Sequence, residues 1–245
     1  MNDLENYYNQ IYIRIGYAIL LLILLPVLFG LFRWRYLNAS LLIFFWYLIA
    51  VLGYNSLEQG FVWSVTNYTK AWQPFLDRFD IADTNFLNII SRLLDYILLG
   101  FFYTAILNSS VGTWVIRVSL LIFVSAIFIY FFIDGFRSYG NVNALVNRIY
   151  LVTLPVLYLW SLFRSQSMLN LWRNAYFLIS IGLLVPNLFG LFLSFVGDKI
   201  NQTDFILFVQ ISLIRNAFSA IGLVLFCFAF QNGKYAKYIS IPKNV

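Results

Sequence analysis

Histidine is absent from this 245-residue chain, cysteine occurs once, and aspartate and glutamate together number ten. Without an imidazole there is no histidine general base, no histidine-ligated haem and no usual zinc site. The single Cys227 allows no internal disulfide. A lone thiol in an apolar run is inert by default. Intramembrane aspartyl proteases pair Tyr-Asp with Gly-x-Gly-Asp, but this chain has Asp95-Tyr96 in the reverse order and only a bare Gly197-Asp198. No catalytic residue, metal or cofactor is expected. Charged residues make up 11% of the chain, against about 25% in soluble domains. The net charge of +6 comes from basic residues scattered through short loops, which excludes a nucleic-acid-binding patch and suits an anionic lipid surface. Asp3 and Glu5 stand where a signal peptide would be basic, so the first apolar run is expected to remain as a helix.

What the chain has instead is hydrophobicity along its whole length: 62% of residues are apolar and 20% aromatic. A bilayer core of about 30 Å takes about 20 mostly apolar residues per helix. Seven stretches qualify: Ile11 to Phe32, Leu37 to Tyr54, Phe86 to Leu107, Val111 to Ile133, Leu145 to Phe163, Leu171 to Val196 and Phe205 to Phe230. Backbone in lipid must satisfy its own hydrogen bonds, and the ten-residue alternating segments of a barrel are missing, so these are helices. The expected fold is all-α, a single polytopic transmembrane bundle of about seven helices. With the N-terminus outside, Arg33, Arg35, Arg117, Arg164, Arg173, Lys234, Lys237 and Lys243 fall on the cytoplasmic side with no acid among them. That bias predicts a cytoplasmic C-terminus.

The longest connection, roughly Asn55 to Asn85, is then an outer loop. Within it Asp77, Asp80 and Asp83 share one side of a short surface helix, either a solvated face or a cation or partner site. Inside the helices lie Arg92, Asp95 and Arg215. A charge at such depth costs at least about 2.5 kcal/mol and normally faces the bundle with a partner. Asp95 and Arg215 fall at similar depth when counted from the outer helix ends, which predicts an ion pair locking the third helix to the seventh. The alternative is a polar site whose extra positive charge holds an anion. Asn187 and Gln210 are expected to line the same interior, and Pro155 and Pro186 to kink their helices. Pro26-Val27-Leu28-Phe29-Gly30-Leu31-Phe32 is echoed by Pro186-Asn187-Leu188-Phe189-Gly190-Leu191-Phe192, a match that common residues explain.

The first hairpin, Leu24-Leu25-Pro26-Val27-Leu28-Phe29-Gly30-Leu31-Phe32-Arg33-Trp34-Arg35-Tyr36-Leu37, resembles a large set of uncharacterised bacterial seven-helix membrane proteins. Asn174 to Phe195 and Ile214-Arg215-Asn216-Ala217-Phe218 look like the same group. The resemblance implies a receptor-like or accessory module in a bacterial inner membrane, without enzymatic activity, working through a protein partner or as a homo-oligomer. A channel or transporter using Arg92, Asp95 and Arg215 is the alternative. Retinal proteins fit worse, because no lysine lies in Phe205 to Phe230 to carry a Schiff base.

Overall fold

The computed structural model describes residues 3–79, 81, 84–134, 141–164 and 170–236. Among them are seven helices or helix pairs long and apolar enough to cross a membrane, and no strand. The first span is α1 (Asp3–Leu22) followed by α2 (Leu24–Phe32). The second is α3 (Ala39–Asn67), and α4 (Thr69–Phe79) caps its far end. The third is composite: α5 (Asn88–Leu94), a π-helical segment (Asp95–Leu99) and α6 (Gly100–Ile106). Then come α7 (Ser109–Ile129), α8 (Asn141–Arg164), α9 (Ala175–Thr203), α10 (Phe205–Gln231) and the short α11 (Gly233–Ala236).

Local chemistry accounts for the ends. Asn38, Asn108, Asn174 and Asp204 are N-caps whose side-chain oxygens accept from backbone N–H groups of the first turn, each worth about 1 kcal/mol. Pro155 and Pro186 lie inside continuous α8 and α9. A break falls at Ile23, three residues before Pro26, which offers no N–H to the carbonyl of Leu22. The expected outer loop is also mostly helix. α3 runs on to Asn67, with Ser56 and Thr66 hydroxyls donating to carbonyls four residues back. Phe61 stacks edge-on against Trp72 and Phe86, and the Trp72 indole N–H donates to Ser64 at 2.9 Å, folding α4 back onto α3.

One end of the bundle is basic. It gathers Arg33, Arg35, Arg164, Arg173 and Lys234, and is tied together by Asn38 donating to the Tyr176 hydroxyl at 2.6 Å and Asn232 to the Trp172 carbonyl at 3.0 Å. Trp34, Trp46, Trp114, Trp160 and Trp172 are exposed near this end, the position of an interfacial aromatic belt. The core beneath it is aromatic: Phe44, Phe45, Phe102, Tyr103, Tyr176 and Phe230 are fully buried. Glycines let backbones approach. Gly30 receives the Phe45 ring, and Gly182 and Gly222 meet across α9 and α10. Pro186 has no N–H for the Gly182 carbonyl, and that oxygen lies against Gly222.

Candidate functional site

Polar groups converge in the half of the bundle away from the basic end. The π-helical turn at Asp95–Leu99 re-aims the third span there, and such turns recur at functional sites. Its first residue, Asp95, is buried. Both carboxylate oxygens are occupied: the Tyr47 hydroxyl of α3 donates to one at 3.0 Å and the Asn147 amide of α8 to the other at 3.0 Å. The charges of Arg148 and Arg92 both reach it. Beside Asn147, Arg148 donates to the Asn187 side-chain oxygen of α9 at 3.0 Å, and Gly190 makes room for its guanidinium. Asn187 in turn donates to the Leu183 carbonyl at 2.7 Å.

The π turn displaces the helix ladder, and side chains supply bonds beside it. The Tyr150 hydroxyl donates to the Tyr96 carbonyl at 3.1 Å and lies 2.7 Å from the Ser119 hydroxyl of α7. A Cβ on Gly100 would meet both hydroxyls. Among the described residues, two buried atoms have no hydrogen-bond partner, the Asn147 side-chain oxygen and the Tyr96 hydroxyl. Each unsatisfied group of this kind costs about 1–3 kcal/mol. The cluster therefore binds α3, the third span, α7, α8 and α9 into one knot while leaving two polar atoms unfilled.

Arg92 and Asp95 are buried together as expected, but Arg215 does not join them. Among the described residues Asp95 and Arg215 form no ion pair, and the Arg215 guanidinium contacts the Asn216 side-chain oxygen at 3.3 Å. The physical reason is neighbourhood: α10 packs against α9, α1 and α2, whereas Asp95 is held between α3 and α8. Counted from the basic end, Arg14, Glu58, Arg92, Arg148 and Arg215 lie 14 to 19 residues up their spans, about 21–29 Å. These charges form a belt at one level of the bundle, above Asp95, which lies 11 residues up its span, about 17 Å.

Asn187 belongs to the cluster through Arg148, whereas Gln210 is exposed on α10 and lines no interior. Asp77 is exposed on α4 and accepts from Gln73 at 2.8 Å. Asp80 and Asp83 lie outside the described residues. Sequence reasoning missed Tyr47, Asn147, Arg148, Tyr150 and Ser119. The signal was there in α8, where Asn143, Asn147 and Tyr150 recur at i, i+4 and i+7 on one buried face. Among the described residues no group of acids or cysteine could hold a metal ion.

Seven helices long and apolar enough to cross a membrane make this, by length and composition, a polytopic helical membrane protein. Compared with protein-family models, with curated proteins and with solved structures, the chain matches none.

Proposed function

We propose that the protein is a receptor-like or accessory membrane module that acts through a partner protein and catalyses nothing itself. The observation that supports this most is the Asp95 knot. With its neighbours it joins five spans through hydrogen bonds around a π turn, next to two buried atoms that have no partner among the described residues. A π register can shift by one residue, and such a shift would exchange the partners of Asp95, Tyr96 and Asn147 and move α8 against α3. A signal at the α4 end would thereby reach the basic end as a change of helix packing. The basic end faces the cytoplasm in this reading, since Lys and Arg are retained on that side. The setting in a bacterial inner membrane rests on the resemblance of the first hairpin. Gln210 and the half-buried Arg215, on α10, offer polar groups to a partner.

The test is cross-linking in native membranes followed by co-purification. One protein should accompany the wild type in fixed ratio, and Asp95→Asn should change that ratio or the cross-linking pattern. A chain that purifies alone from both would refute the module reading. A channel or transporter is the second reading, favoured by Arg92 and Asp95 buried inside the bundle, with Arg148 beside Asn147, which holds Asp95. Protein reconstituted alone in liposomes should pass no ions, and a reproducible current would put that second reading first.

A further inference from the structure

The geometry points to a phospholipid site in the cleft between α1 and α3, with an acyl chain in the cleft and the phosphate at Arg14. Its origin is the break at Ile23. α2 packs against both α10 and α3, where Gly30 takes in the Phe45 ring, whereas α1 keeps its packing on α10 and makes little contact with α3. α1 and α3 therefore splay apart towards the α4 end. Between them opens a groove of about 280 Å³ lined by Tyr17, Leu20, Leu21, Leu52, Asn55, Ser56 and Gln59.

The groove has a direction. Leu20, Leu21 and Leu52 form its deep end. Asn55, Ser56 and Gln59 succeed Leu52 at i+3, i+4 and i+7, so one stripe of α3 grows polar towards the mouth. The surface that these residues turn to the groove is nonetheless mostly apolar, and the Ser56 hydroxyl is turned onto the Leu52 carbonyl at 2.8 Å. On α1, Arg14, Tyr17 and Leu21 stand at i, i+3 and i+7 on one exposed face, which puts Arg14 one turn beyond the mouth. Arg14 belongs to the charge belt, about 27 Å above the basic end, where lipid phosphates border a hydrocarbon layer of about 30 Å.

Lining and charge select the occupant. The wall is apolar, which an acyl chain complements, and the exposed Arg14 beyond the mouth supplies the charge that a phosphate complements. A bare anion would leave the apolar wall uncovered, and a partner helix brings no phosphate to Arg14. The site stands independently of the module reading above.

The experiment is native mass spectrometry of the full chain exchanged into detergent with phosphatidylglycerol or, in a separate arm, diacylglycerol of the same chains. Wild type should retain one phosphatidylglycerol, about fivefold more often than diacylglycerol, the size of one arginine–headgroup attraction. Arg14→Gln should retain the two equally. Leu52→Trp, or Leu21→Trp if the former fails to fold, should lose both. Equal retention of the two lipids by wild type would overturn the proposal, as would retention unaffected by filling the groove. So would a cross-link from Leu21→Cys to another protein in native membranes. Inorganic phosphate that competes away phosphatidylglycerol without diacylglycerol changing would place the recognition in the headgroup; failure of wild type to hold either lipid refutes it.

Discussion

Gly222→Ala is the most incisive perturbation of the bundle. A Cβ at Gly222 would stand 2.5 Å from the Gly182 carbonyl oxygen and 3.3 Å from its carbon, where non-bonded heavy atoms rest at about 3.5 Å or more. The obstacle is backbone, so no rotamer relieves it, and α9 and α10 must part by about 1 Å. A gap of that size forfeits a quarter to a half of each contact across the seam. Some forty atom pairs at about 0.15 kcal/mol each then lose about 2 kcal/mol, within the 1–3 kcal/mol typical of overpacking. Gly53→Ala is the control. It meets nothing within 4 Å, and removing a helical glycine gains about 0.5–1 kcal/mol. The same gain accrues to Gly222→Ala and cancels, so unfolding in mixed micelles by titrated sodium dodecyl sulfate, followed by circular dichroism, should separate the two variants by about 2 kcal/mol. Equal stabilities would refute the close backbone contact, and with it the packing assigned to Pro186.

Tyr47→Phe and Asp95→Asn should each destabilise the protein in the same titration by about 1–2 kcal/mol, and the double variant should lose less than their sum; strict additivity would mean that the 3.0 Å bond between them carries no coupling. Asp95→Asn and Arg215→Gln, by contrast, should add within about 0.5 kcal/mol, and recovery in that double variant would restore the ion pair that the structure replaces. A reporter active only in the cytoplasm should work when fused after Val245 and fail when inserted after Asn67. The reverse pattern would invert the orientation, and activity at both places would sink the seven-span topology.

Composition and periodicity alone determined the class of this protein. Seven apolar runs separated by short polar segments admit only helices, because lipid supplies no partners for backbone groups. The seven spans stand where those runs are, apart from ends such as Asn67 and Thr203, where the helices run on past the apolar stretch. Arg92 and Asp95 were legible as buried because a charge within an apolar run must be sheltered. Their partners were not. Which helices neighbour one another is a matter of side-chain packing, through Gly30 on Phe45, Gly182 on Gly222 and Gly190 on Arg148. That packing brings Tyr47 and Asn147, 48 and 52 residues away in sequence, to Asp95. It also leaves Arg215 on α10, the helix packed against α9, α1 and α2. Depth, too, belongs to the tertiary structure. A helix longer than the bilayer can slide along its axis, and only contacts with its neighbours fix which of its residues share a level.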